Sequence, residues 1–459
     1  MSCGSTRARF AFGSLLIALA IMGLSMSVAP QQALAQGVGG MGGFGFGQAV
    51  GGVAIDAEGI VRNLDPVALE KLAAERRAAI GKAEAGTPAD LRKVSLRRLI
   101  AAVEASKDKP LTPDVFFLGG LTRVTHLFVD PEGHDLIVAG PAEAIAIDAA
   151  GNAVGAASKR PLLHLEDFIA ALRSIDAARA GGIQCSIDPT PEGLTKLQAF
   201  LRNHRGIGGS PDATLRGMEK SLGPQTVRVE GVRGDTRFAR VLVAADYRMK
   251  RIGMGLEPSG VPGLPSYLSM VPAGRPAALP RFWLEPSYDP ISRDPDELAW
   301  RINGRRMSCL TESDLLAKDG VQRGRGAADG IATKWCASMT SHYDALATNQ
   351  PVFSELVNCV DLAVVAALIH GRQLHDRAGL DLGPLLDEKS LPLPSYEVAK
   401  TVPTVATAAR KGNAWVVSAS GGVQYQPWAF AAETADAADL TTIRIASVQS
   451  RPADSWNWE

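Results

Sequence analysis

The 459-residue chain is 46% hydrophobic and 21% charged, the balance of an ordinary globular protein able to bury a core. Lysine plus arginine equals aspartate plus glutamate at 48 each, so the formal net charge is zero. That neutrality, with no run of like charge, argues against a nucleic-acid partner, which needs a basic face, and against an electrostatic hold on anionic lipid.

Residues 1–35 read as a cleavable secretory signal. Arg7 and Arg9 supply positive charge, Phe10 to Val28 is apolar, and Ala33-Leu34-Ala35 offers the small residues a signal peptidase reads. Cleavage is expected between Ala35 and Gln36, which places the mature protein in a periplasm or outside the cell. The apolar stretch approaches the length of a membrane anchor, but Gly13, Ser14, Gly23, Ser25 and Ser27 weaken that reading. Cys3 lies upstream of the apolar core, which disfavours a lipid anchor, and Ala8 separates the two arginines, so the signal is not of the twin-arginine kind. Residues 36–52, QGVGGMGGFGFGQAVGG, form a glycine-rich tether that reaches roughly 20–25 Å as a flexible coil.

From Val53 to about residue 255 strands and helices alternate. Three turns share one device, at Asp56–Gly59, Asp130–Gly133 and Asp148–Gly151: an aspartate bonds backbone two residues on, and glycine supplies positive φ. A calcium loop needs several carboxylates at alternate positions, whereas aspartate stands almost alone in each of these turns. A larger repeat is suggested by Ser95–Val103 and His164–Leu172, each followed by Gly-Gly, a strand and Asp-Pro, with a third Gly-Gly-strand-Asp copy at Gly51. Chance likeness in a chain rich in glycine and alanine is the rival reading. Thr190 to Asn203 is expected to be helical, capped by Asp188 and opened by Pro191. In Thr236 to Arg251, Phe238, Leu242, Ala245 and Met249 share one helical face.

Residues 256–298 are a proline-rich connector that forbids regular helix. Between 299 and 400 the pattern gives a hairpin turned by Asn303-Gly304. Two helices follow, Asp329 to Ala347 and Val352 to Gly371, with Pro351 opening the second. The best later candidate for a membrane span, around Asp361 to Ile369, is interrupted by Glu355, Asn358 and Asp361 and reads as a buried helix, so no integral membrane segment is expected after the signal. Residues 401–459 are a small β tail, with a hairpin from Trp415–Ser418 to Gln424-Tyr425 turned by Gly421-Gly422. The expected class is α+β, or mixed α/β.

Phosphate loops, GxGxxG after a strand, HExxH and GxSxG are absent, so no cofactor or metal is expected. Ser106-Lys107-Asp108-Lys109 fits SxxK by chance and runs into Pro110. His370 and His375 are five apart, one residue more than places two imidazoles on one helical face, and His342 reads as a helix-face residue. The proline-rich segment holding Trp283, Glu285, Tyr288 and Asp289 combines aromatic faces with acids, as binding loops do. Fold features often mimic sites, which favours the competing reading: a short strand with Phe282 and Leu284 inward and the others alternating outward.

Cys185, Cys309, Cys336 and Cys359 remain after the signal, with no CxxC pair. Alternation puts Cys185 on a face with Ile183 and Ile187, as a free buried thiol. Cys336 and Cys359, on neighbouring helices, are the first pair to test for a disulfide, near the limit of sulfur–sulfur reach and at best partly oxidised.

The stretches Cys185–Gly193, Ala245–Lys250, Arg281–Pro286, and Pro351–Phe353 through Ala366–Ile369 resemble a family of exported planctomycetal proteins known only as a domain of unknown function. The resemblance covers most of the mature chain and implies export and a shared fold, with no activity, cofactor or catalytic residue. Two functions remain open. One is a non-enzymatic binding or envelope-organising protein with an envelope or extracellular partner. The other is an uncharacterised exported hydrolase whose acids and histidines meet only in space.

Overall fold

Most of the described strand residues lie in two large sheets. The computed structural model describes residues 48–81, 87–106, 109–203, 211–272, 280–312, 315–317, 320–322, 329–408 and 415–459. The signal, its Ala35–Gln36 cleavage point and the tether up to residue 47 lie outside the described residues, whereas Ala49–Val50, expected in the flexible tether, form a buried strand antiparallel to Val53–Ile55. The class is α+β, with mixed sheets as well as helices.

The six-stranded sheet holds β1 (Ile183–Asp188), β2 (Gln225–Glu230), β3 (Arg281–Ser287), β4 (Arg306–Glu312), β5 (Thr401–Val402) and β6 (Ser420–Tyr425), in the order β4-β3-β6-β1-β2-β5. Every neighbouring pair is antiparallel except β3 and β6. In β1, Ile183, Cys185 and Ile187 are buried while Gln184, Ser186 and Asp188 are half-buried, as the sequence pattern requires.

Four helices position the interior: α1 (Leu165–Gly181), α2 (Arg237–Gly253), α3 (Gly330–Ser341) and α4 (Pro351–Gly371). The Thr236 hydroxyl starts α2, accepting the Ala239 N–H at 3.2 Å and donating to the Arg233 carbonyl at 2.7 Å. Helix α2 then lies on β1 and β6 and against α1 and α4. By length and composition α4 could cross a membrane, yet 94% of its most apolar stretch is buried against the rest of the protein. It is packed on α1, α2 and the short helix Pro427–Ala432.

The seven-stranded sheet runs Thr434–Asp436, Ile291–Arg293, Ala299–Arg301, His126–Asp130, Asp135–Ala142, Ala89–Ser95, Asn457–Trp458. It separates two cores by alternation. Leu127 and Val129 join the main core, while Phe128, Ile137, Ala299, Leu440 and Trp458 form a second one with the C-terminal helix Asp439–Gln449.

The three aspartate turns form, but only Asp56 bonds the backbone two residues on, whereas Asp130 reaches three and Asp148 four residues on. Asp56 Oδ1 accepts from the Glu58 and Ile60 N–H groups, Asp130 Oδ1 from Gly133, and Asp148 Oδ1 from Asn152. In the middle turn the positive φ falls on His134 rather than Gly133. The paired helix–strand units are also present, as Leu96–Ala105 with His126–Asp130 and as α1 with β1, although the two strands lie in different sheets.

Four local expectations change. Asn303-Gly304 does not turn a hairpin: the strand before it pairs in the seven-stranded sheet and β4 after it pairs with β3. The chain crosses between sheets there because Arg305 reaches Asp361 on α4 and the Val124 carbonyl. Gly421-Gly422 is inside β6, not at a turn. A Cβ on Gly422 would lie 1.7 Å from the Cys185 carbonyl oxygen, and one on Gly421 2.1 Å from that of Phe282, so glycine serves close strand approach. The cap of Pro191–Asn203 is Thr190, whose hydroxyl accepts the Gly193 N–H at 3.0 Å, because Asp188 is taken by Arg281 and the Gly421 N–H. The helical pair is not packed along its length: α3 ends at Ser341, a short helix Tyr343–Asn349 follows, and α3 packs chiefly on β4 while α4 packs on α1 and α2.

Leu356 and Val360 of α4 have no exposed surface. Leu356→Asp or Val360→Asp is expected to lower stability by several kcal/mol, since each buries an unpaired charge. Thermal melts should show a large fall for either, while Val67→Asp, at a position 76% exposed, leaves the melt unchanged.

Candidate functional site

Helix α2 carries charge into the core at both ends. At its start Arg237 donates to Asp167 of α1 and, at 3.0 Å, to Glu355 of α4, with Glu166 4.0 Å away. The Tyr396 hydroxyl donates to Glu166 at 2.9 Å. The ring of His164 stands edge-on to Phe117 at 4.9 Å. Burial raises the carboxyls of Glu166, Asp167 and Glu355, with Arg237 pulling each the other way. Burial, with the charges of Arg237 and Arg76, pushes His164 well below its usual range. Perturbed acids beside a histidine, an arginine and a tyrosine are what a catalytic site would gather. Here none of His164, Glu166, Asp167, Arg237 and Glu355 is more than 4% exposed, so the cluster is sealed from substrate.

Near the other end of α2, Lys250 donates to Asp246 at 2.9 Å, to the Ile187 carbonyl at 2.8 Å and to the Gly421 carbonyl at 2.9 Å. Burial pushes Asp246 up to about 7 against the pull of Lys250.

Where α2 ends, the chain opens a surface groove of about 670 Å³ between Ile252 and Ser266, lined among others by Gly255, Leu256, Glu257, Ser259, Val261 and Leu264. Its polar side chains are already engaged. Glu257 accepts from Arg248, Arg251 and Asn63. Burial would raise its carboxyl, but the two guanidiniums and Asn63 hold it below the usual range. The Ser259 hydroxyl donates to the Leu264 carbonyl at 2.9 Å and accepts the Val261 N–H at 3.2 Å, and that of Ser266 accepts the Ser269 N–H. Gln350 and Trp335 hold the groove from behind, donating to the Ser259 and Pro265 carbonyls at 3.0 and 2.9 Å. Gly255, Pro258, Gly260, Pro262 and Gly263 are exposed, so the groove presents mainly shape and backbone to solvent. A second, 130 Å³ pocket is lined by Arg173, Arg233, Asp235 and Glu388, and there Arg233 pairs with both acids.

The sequence-expected residues do not converge. Residues 281–287 form a strand of the sheet rather than a loop. Trp283 is buried under the Arg281 guanidinium, 4.6 Å from its ring centre, and Glu285 accepts from Gln424 of β6. Phe282 packs on Trp335, and Phe282 and Leu284 are wholly buried as the strand reading has it, but Trp283 and Tyr288 are buried too and do not alternate outward. Tyr288, beyond the strand, is buried and donates to Asp361 at 2.7 Å, whereas Asp289 is exposed and pairs with Arg306. The strand forms because β4 and β6 satisfy its backbone on both sides.

All four described cysteines are free and buried. Cys336 faces Cys309 across 3.4 Å rather than Cys359, which lies within electrostatic reach of Asp167, Arg237 and Glu355 instead. The rings of His370 and His375 are 5.7 Å apart across the end of α4, and His342 sits at the break between α3 and the next helix. Among the described residues no cluster of three or more His, Cys, Asp or Glu is placed to hold a metal.

Sequence reading missed the charges of α2. Asp246 and Lys250, opposite in sign and four apart, were a readable signal of an intrahelical pair. Nothing local said that it was buried.

A family model described as "Protein of unknown function (DUF1598)" matches residues 185–267, from Cys185 in β1 through α2 and the groove. The match includes the Cys185–Gly193 and Ala245–Lys250 motifs and stops before Arg281–Pro286 and α4. No curated protein and no solved structure matches the chain.

Asp246 supplies a pH test. Its folded pKa, about 7, lies above the unfolded value near 3.8, so its contribution is fully present below the lower value and is lost as pH rises through the upper one. Between pH 5 and pH 8 the unfolding free energy of the parent should fall relative to Asp246→Asn by roughly 2–3 kcal/mol in urea titrations. A gap that stays constant would show that Asp246 does not titrate in this window.

Proposed function

We propose that this chain is exported and binds a partner in the envelope or outside the cell without turning it over, in the planctomycetal setting that the sequence resemblance implies. The observation that carries this reading is the division of polar groups. The perturbed acids and His164 are sealed inside, while the open groove at residues 252–266 has its side-chain polar atoms committed to internal bonds. A concavity with no free nucleophile–base pair is suited to holding a ligand and not to activating one. An exported hydrolase would require the cluster around Glu166 to open to solvent.

The test places a photo-crosslinking residue at exposed Pro262 and, as a control, at exposed Val67 in the mature protein. Incubation with an envelope fraction is expected to give a discrete adduct at Pro262 and none at Val67, with no turnover in a broad hydrolase screen. Equal labelling at both positions, or turnover abolished by Glu166→Gln, would overturn the reading. Export is read separately from the mature amino terminus, expected at Gln36.

A further inference from the structure

The Cys309 and Cys336 sulfurs lie 3.4 Å apart, one on β4 and the other on α3, and each residue is 3% exposed. The contact is fixed from several directions. The Thr340 hydroxyl, one turn along α3 from Cys336, accepts the Cys309 N–H at 2.8 Å and donates to the Cys309 carbonyl at 3.4 Å. Trp335, the neighbour of Cys336, packs on Phe282 of β3 at 4.3 Å. Helix and strand edge are therefore held in one register, with the two thiols facing each other between them.

We propose that this pair is a covalent modification site at which Cys309 and Cys336 join as a disulfide and tie α3 to β4. A disulfide needs the sulfurs at about 2.05 Å, so closure takes roughly 1.4 Å, within the range of small side-chain rotations. The co-reactant is an external disulfide of the thiol–disulfide exchange class. One cysteine thiolate attacks it and displaces a thiol, and the second then attacks the mixed disulfide and displaces another. The two cysteine thiols lose two protons and two electrons, and the external disulfide gains them as two thiols. Both sulfurs are buried in the folded protein, and burial pushes the Cys309 thiol well up. Exchange therefore belongs to folding, before α3 seats on β4. Once formed, the bond closes the chain between residues 27 apart and limits the unfolded state. It also steadies the groove, because Trp335 on the same helix donates to the Pro265 carbonyl.

Formation in the native setting rests on export, so the experiment supplies the oxidant itself. The mature chain is refolded in mixed reduced and oxidised glutathione, denatured without reductant, alkylated and mapped by mass. The Cys309 peptide is expected joined to the Cys336 peptide, with Cys185 and Cys359 alkylated. Alkylation of both Cys309 and Cys336, glutathione adducts alone, or Cys336 joined to a different cysteine would overturn the proposal. In a second measurement, reductant should lower the melting temperature of the oxidised parent by several degrees and leave the Cys309→Ala/Cys336→Ala double variant unmoved. An equal response from both proteins would also overturn it. A failed link here indicts the pair, whereas a mature terminus other than Gln36 indicts export alone.

Discussion

An ammonium taken out of water is tolerated only when acceptors replace its hydration, and Lys250 meets that condition by drawing three parts of the chain together. Its acceptors are Asp246 one turn back on α2, the Ile187 carbonyl on β1 and the Gly421 carbonyl on β6. Neighbouring strands β1 and β6 must therefore lie beneath the same turn of α2, which fixes the helix on the sheet. Glycine at 421 and 422 follows from the same packing, since side chains there would run into the carbonyls of β3 and β1. About 20 Å away along the helix, Arg237 repeats the arrangement, with Asp167 of α1 and Glu355 of α4 as its acceptors. The orientation of α2 is thus set at both ends by buried charges whose acceptors come from the protein in place of water.

Features whose cause lies within a few residues were legible in the sequence. The aspartate turns, the Thr236–Arg251 helix and the buried face of Cys185 depend on local bonding or on strict alternation. Features whose cause lies across the fold were not. Asn303-Gly304 and Gly421-Gly422 have turn chemistry, but the strands flanking the first go to separate sheets, and the second is the place where three strands crowd. Asp188 is an ordinary helix cap by type, and the presence of Arg281 on β3 and of the Gly421 N–H on β6 reassigns it. The same limit applies to the site. Trp283 and Glu285 look displayed until β4 and β6 close over both edges of their strand. The groove escaped notice because glycine and proline carry no chemical signature beyond irregular backbone.

The stretch matched by the family model is not a self-contained unit in this fold. Within residues 185–267, β1 needs β6 for its second edge and β2 needs β5, and both partners come from beyond residue 400. Lys250 lies inside the match while Gly421, one of its acceptors, lies outside. A chain carrying the matched sequence with β1, β2 and α2 placed as here must supply equivalents of β5 and β6, or leave two sheet edges open and a buried ammonium one acceptor short.

The described chain begins at a backbone held by arginines. Arg240 donates to the Gln48 carbonyl, Arg76 to that of Ala49 and Arg248 to that of Gly51. Three guanidiniums on three of four successive carbonyls tie this short stretch to α2 and to the helix Pro66–Ile80, although carbonyls at a free end would be satisfied by water at little cost. Arg248 also binds Glu257 in the groove wall. One side chain therefore couples the anchoring of the leading segment to the groove.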